Sequence, residues 1–202
     1  MKQPSPYYNP EESLTITHGN LPHWNQQQKC YAVTFRLYDA LPHHVVQSYL
    51  EEWEKTFGKA NPEDLSARQE WLRKRMMEYL DAGYGACWLR DGTVRRIVEE
   101  AFSYVDKHIA RVHAYVIMPN HVHAVVETRP EVTIQMVMKR LKSFTAKRIN
   151  HYLGLTGRVW QREYFDRIVR NDAHYQRTIQ YIMSNPQHCT MDEFTLWRRG
   201  MP

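Results

Sequence analysis

The chain is expected to fold as an α+β domain built on a ferredoxin-like antiparallel sheet with helices on one face. Three observations predict this. Segments of strand and helix periodicity follow one another as strand, helix, strand, strand, helix, strand. The middle two strands are separated only by Met118, Pro119 and Asn120, which makes them a hairpin. A length of 202 residues suits one well-buried domain. The expected organisation is an extended N-terminal arm over 1–28, a single domain over 29–188 with a helical insertion at 42–82 after the first strand and an appended C-terminal helix, and a tail over 189–202.

The arm is rich in Pro, Asn, Gln and Ser and lacks periodicity, with Trp24 of "LPHW" as its expected buried anchor. "CYAVTFRL" alternates around Tyr31, Val33, Phe35 and Leu37, which predicts the first strand. Between 42 and 82 the spacing turns helical. Val45, Val46, Tyr49, Leu50 and Trp53 mark one helix; Leu65, Trp71, Leu72, Met76, Tyr79 and Leu80 mark another, capped by Asn61 or Ser66. The glycines of "DAGYGAC" stop it. "TVRRIVEEAFSYVDKH" places Val94, Ile97, Val98, Ala101, Phe102 and Val105 on one face, with Thr93 as cap. "ARVHAYVIM" and "HVHAVVE" form the hairpin. The helix from 133 to 153 turns Ile134, Val137, Met138, Leu141, Phe144, Ile149, Tyr152 and Leu153 inward and ends at Gly154. "VWQREYFDRIVR" (159–170) reads as the last strand, and "DAHYQRTIQYIMSN" as a closing helix that Pro186 terminates.

With 27 Lys+Arg against 22 Asp+Glu, the formal net charge of +5 suits a polyanionic partner without demanding one. Cys30, Cys87 and Cys189 are scattered and odd in number, so their spacing supports neither a disulfide framework nor a zinc knuckle. No apolar run approaches the roughly 20 residues of a membrane span, and the polar start has no apolar signal core. The expectation is a soluble cytoplasmic protein.

His121 and His123 of "MPNHVHAVVE" carry the first chemical signal. Residues i and i+2 of a strand share a face, so the two imidazoles can share one cation; a bare His-x-His is also what a solvated strand face looks like. Two ligands suit Mg2+ or Mn2+, whose shells are completed by water and phosphate, better than zinc. Tyr181 and Asn185 of "YIMSN" lie four apart on one helical face and bring a phenol and an amide oxygen together. Such a phenol beside a metal-held phosphate is a nucleophile that stores bond energy as a phosphotyrosine; on spacing alone it reads first as a core or cap tyrosine. On the long helix Lys139, Lys142, Ser143 and Lys147 share a basic face. Arg158, Arg162, Arg167 and Arg170 follow, interleaved with Trp160, Tyr164 and Phe165, the mix that neutralises phosphates and stacks unpaired bases, and equally what solvated basic side chains over core aromatics look like.

"MPNHVHAVVE", "KRLKSFTAKRIN", "VWQREYFDRIVRNDAHY" and "IQYIMSNP", in this order, resemble the REP-associated tyrosine transposases, relatives of the single-tyrosine insertion-sequence transposases in the HUH nuclease superfamily. "LPHW" and "YAVTFRLYDALP" extend the resemblance over about 21–188. It implies His121, His123 and Asn185 as ligands of Mg2+ or Mn2+ and Tyr181 as a nucleophile that becomes joined to a 5′ phosphate, leaving a 3′ hydroxyl. It also implies palindromic repeat hairpins as the DNA partner and a nucleoid-associated location. Tyr164, Glu163 and Asp166 match a family motif and are assigned to strand support or DNA positioning. Whether the protein works as a monomer or a homodimer stays open. The expected function is a metal-dependent single-stranded DNA endonuclease and strand transferase. A domesticated hairpin-binding protein without turnover is the alternative, and a structural zinc domain, which stoichiometric zinc would support, is a third reading.

Overall fold

The computed structural model of the chain describes residues 5–18, 22–59 and 64–201. Near the N-terminus β1 (Thr15–His18) and β2 (Pro22–Asn25) pair as a two-stranded antiparallel ribbon. The other strands are β3 (Cys30–Arg36), β4 (Ala110–Ile117), β5 (His121–Thr128), β6 (Phe165–Ile168) and β7 (Thr195–Arg198), which form one sheet in the order β6-β3-β5-β4-β7. Every neighbouring pair is antiparallel. The helices are α1 (His43–Phe57), α2 (Leu65–Asp81), α3 (Gly92–His108), α4 (Ile134–Leu153) and α5 (Asp172–Ser184). Strands β3, β4, β5 and β6 with α3 and α4 are the ferredoxin-like unit. α1 and α2 are the insertion after its first strand, and α5 is the appended helix.

Alternation along β5 sorts the two faces of the sheet. Val122, Ala124 and Val126 pack with Val33 and Phe35 of β3 against Val98, Phe102, Val137 and Leu141 of α3 and α4. Val125 points the other way and packs with Ala114, Val116, Ile179 and Ile182 beneath α5. α5 therefore crosses the face opposite the paired helices, so β5 is covered on both sides. Full burial of each such aliphatic side chain stabilises the fold by about 1.5–3 kcal/mol.

Several local expectations change. In β2 it is His23 that is buried, while Trp24, one residue on and on the other face, is 45% exposed. Phe144 and Tyr152 are also exposed. The inward stripe of α4 runs instead through Leu141, Thr145 and Ile149, because the buried Trp160 indole donates to Thr145 Oγ1 (2.9 Å). Tyr152 reaches outward to Asp91 (3.1 Å). Asp91, not Thr93, caps α3 by accepting from the Thr93 and Val94 amides. In α2, Leu65 is exposed, Ser66 lies inside the helix and Asp64 is the N-cap; Asn61 lies outside the described residues.

The strand read over 159–170 is an isolated Leu37–Trp160 bridge followed by β6 alone. The carbonyls of Gln161 and Arg162 turn to Lys142 Nζ, at 2.7 Å each, instead of to β3. The N-terminal arm holds the β1–β2 ribbon and is tied down by Lys29, which pairs with Glu12 and donates to the Ser5 carbonyl. The segment read as a tail includes β7 on the β4 edge of the sheet. No helix among the described residues is long and apolar enough to cross a membrane.

Candidate active site

The tight turn at 118–120 closes with the Met118 amide donating to the His121 carbonyl (2.8 Å), which sets β5 in register against β4. His121 and His123 thereby open β5 on the α5 face. They are 1% and 4% exposed, which removes the solvated-face reading. Their Nε2 atoms are 3.1 Å apart. Tyr181, in the last turn of α5, brings its hydroxyl to 3.5 Å from His123 Nε2.

Outer contacts fix both rings. The Asn120 amide nitrogen donates to the Tyr84 carbonyl (2.9 Å), which leaves its Oδ1 facing His121 Nδ1 at 2.7 Å. Nδ1 of His121 therefore carries the proton, and Nε2 presents a lone pair toward His123. Tyr84 is set by the turn at Gly85, where φ is +93° and an added Cβ would lie 3.1 Å from the Asp39 carboxyl carbon. Thr34 Oγ1 meets His123 Nδ1 at 2.7 Å.

Burial, then His123 and Arg36, pushes the His121 pKa well below the ordinary imidazole value. Burial and Arg73 push His123 down to about 3. Both imidazoles are neutral at physiological pH. Burial, reinforced by Asp81, raises the Tyr181 phenol to about 12, against the opposing pull of Arg73 and a hydrogen bond with Asn185. That phenol stays protonated until positive charge is brought to it.

Asn185 opens a short 3₁₀ turn (Asn185–His188) after α5, and its buried Oδ1 has no hydrogen-bond partner. The donor set fits a divalent cation. Two imidazole nitrogens bound to one ion at roughly 2.1 Å each sit at about the separation seen here, and an orphaned amide oxygen is a third donor.

Sequence reasoning missed what the insertion contributes. Asp81, the last residue of α2, places Oδ1 3.6 Å from His121 Nε2. Arg73 of α2, paired with Glu70, lies near enough to Tyr181 and His123 to shift both. Arg36, paired with His121 across the β3–β5 ladder, has a buried Nε without a partner. The last residue of one helix and a strand residue some forty positions earlier leave no spacing signal to find.

The basic residues divide into two groups. Phe165 and Arg167 pair with Thr34 and Ala32, which puts them on the histidine face of the sheet, with the Arg167 guanidinium 5.8 Å from the Phe165 ring. Arg170 follows, exposed, with its amide bonded to His174. Lys142, Ser143, Arg158 and Arg162 instead line an open groove of about 510 Å³ between α4 and the 157–162 loop, and Lys139 and Lys147 are exposed on α4. Lys142 is taken up in holding the Gln161 and Arg162 carbonyls, and burial lowers it to about 8. Tyr164 is buried, stacked on His23, whose Nδ1 pairs with Asp166; this supports the strand and leaves no exposed ring for a base.

Residues 86–185 match the family described as IS200-like transposase. A Haemophilus influenzae protein of unassigned function is 26% identical over 98 residues, covering 38% of this chain and 54% of its own length, so the chain spans about half the length of that curated relative. A solved REP-associated tyrosine transposase bound to a REP hairpin is similar to this chain with a TM-score of 0.46 and 15% identity, over 80% of this chain and 68% of that one. The family match takes in the histidine pair, Tyr181 and Asn185, and over that stretch the chain is similar to the IS200-like transposases.

Proposed function

We propose that this chain is a metal-dependent single-stranded DNA endonuclease and strand transferase that acts on palindromic repeat hairpins through a 5′-phosphotyrosine link. The observation that carries this reading is the meeting of two neutral, buried imidazoles, 3.1 Å apart, with the hydroxyl of Tyr181 at 3.5 Å. His121 Nε2, His123 Nε2 and Asn185 Oδ1 would hold Mg2+ or Mn2+, with the Asp81 carboxylate as a further oxygen donor, and the chemistry the ion supplies is polarisation of a phosphate oxygen.

Tyr181 Oη attacks the phosphorus. A tyrosyl O–P bond forms as the P–O3′ bond breaks; the phenol releases its proton to solvent and the leaving 3′ oxygen takes one up. One phosphoester replaces another, so a 3′ hydroxyl can reverse the step and reseal a strand without added energy. Arg36 and Arg73 bring positive charge to the phosphate and to the developing phenolate. The exposed Phe165–Arg167 pair offers stacking and charge to unpaired nucleotides entering on the same sheet face. The groove beside α4, with Ser143, Arg158 and Arg162, and the neighbouring Lys139 and Lys147 take the duplex stem through its phosphates.

The test is cleavage of a hairpin with a labelled single-stranded flank in the presence of Mn2+. The expected products are a piece ending in a 3′ hydroxyl and a piece whose 5′ end is blocked by protein, with Tyr181→Phe binding the hairpin but leaving it whole. Hairpin binding without cleavage by the unmodified chain, in either Mg2+ or Mn2+, contradicts the reading.

A further inference from the structure

A second cluster of ligand-type side chains lies under the other end of α5. β4 pairs with β5 in one register up to Val112 and in another from Ala114, so His113 is the extra residue of a β-bulge. Bulges re-aim a side chain out of the regular alternation. Here the bulge brings His113 Nε2 to 2.9 Å from Glu127 Oε2 and 3.8 Å from Cys30 Sγ. The three ligand atoms lie within 4.8 Å of one another. Cys30 and Glu127 face each other directly across the β3–β5 ladder. The imidazole is oriented from behind by the Tyr175 hydroxyl, 2.9 Å from Nδ1. Cys30 is buried, while His113 and Glu127 keep 16% and 24% side-chain exposure, which gives the cluster a path to solvent.

We propose that Cys30, His113 and Glu127 form a second metal site, for a thiophilic divalent cation of the zinc class. A thiolate, an imidazole and a carboxylate are the donor types zinc takes, and three protein ligands leave a fourth position for water. A thiolate and a carboxylate neutralise the ion's two charges. Loading releases the thiol proton. The imidazole proton, held on Nε2 by Glu127 in the metal-free arrangement, moves to Nδ1, where the Tyr175 hydroxyl turns to accept it. The site does not share residues with the His121–His123 pair and is independent of the role proposed for Tyr181. Its ligands are scattered in the sequence, so no cysteine or histidine spacing announces it.

Cobalt(II) titration of the intact protein tests this, because a thiolate–cobalt bond gives a near-ultraviolet charge-transfer band. One equivalent should produce the band in the unmodified chain and in His121→Ala/His123→Ala. Cys30→Ser should abolish it, and Glu127→Gln, which leaves the buried thiol in place, should weaken cobalt affinity about tenfold or more. Absence of the band at saturating cobalt overturns the proposal. So does a band that survives Cys30→Ser, which would assign the thiolate to Cys87 or Cys189, or a cobalt affinity unchanged by Glu127→Gln in a protein that melts at the usual temperature.

Discussion

Nε2 of His121 and Nε2 of His123 face each other at 3.1 Å in a site almost sealed from water, and neither ring is charged at physiological pH. Two lone pairs at that distance repel unless a proton or a cation lies between them. In the metal-free protein a single shared proton serves. A cation held by both Nε2 atoms would displace that proton to His123 Nδ1, where Thr34 Oγ1 stands 2.7 Å away to receive it.

The groups behind the rings should therefore control metal affinity. Asn120→Ala removes the acceptor that holds the His121 proton on Nδ1 and is expected to weaken Mn2+ binding about 10–100-fold. Electron paramagnetic resonance titration of free Mn2+ measures this, with the melting temperature recorded to separate it from unfolding. An unchanged affinity in a folded variant counts against the tautomer assignment.

Asp81 is the insertion's contribution to the same centre. Asp81→Asn keeps the shape of the side chain and removes its charge, 3.6 Å from His121 Nε2. Mn2+ affinity should fall about tenfold. Because Asp81 also raises the Tyr181 phenol, ultraviolet titration of the metal-free variant should find that phenol ionising at lower pH than in the parent. If neither quantity moves, Asp81 has no part in the centre.

The depressed pKa of His123 has a stability signature in the metal-free protein. The unfolded chain takes up a proton below about 6.5 that the folded site refuses until about 3, so the unfolded state binds more protons in that window. Stability should fall as pH drops from 6.5 toward 3, by up to about 1.4 kcal/mol per pH unit from this residue. Urea unfolding of the parent and of His123→Asn between pH 7 and 4 reads the difference: the variant should show the shallower loss, and equal slopes contradict the assignment.

Among the basic residues, Lys142 should behave unlike its neighbours. Lys139→Ala and Lys147→Ala remove exposed charges and should each lower the salt slope of hairpin binding by about one. Lys142→Met takes away the donor that holds two loop carbonyls, so it should lower stability by about 2 kcal/mol and leave that slope nearly unchanged. Fluorescence anisotropy across a salt series decides, and a full unit of slope lost in Lys142→Met makes it a phosphate ligand.

Much of the sheet was readable because its signals are local. The period-two runs around Tyr31 and Val122, the three-residue turn before His121 and the apolar stripe of α3 each report their own element. What escaped depends on partners distant in sequence. Thr145 is buried because Trp160 needs an acceptor, and the strand breaks after Gln161, whose amide still reaches Arg36, because Lys142 claims the Gln161 and Arg162 carbonyls. The same holds at the site: His121, His123, Tyr181 and Asn185 lie in short motifs, whereas Asp81, Arg36 and Arg73 matter through the positions the fold assigns them.

The role proposed for Tyr181 as nucleophile is tested by covalent capture. The protein is incubated with hairpin DNA and Mn2+, denatured and digested, and the nucleotide-bearing peptide is identified by mass. The expected result is a 5′-phosphate ester on Tyr181, formed only with metal and lost in Tyr181→Phe and in His121→Ala/His123→Ala. Cleavage with no adduct, or an adduct that persists in Tyr181→Phe, would contradict it.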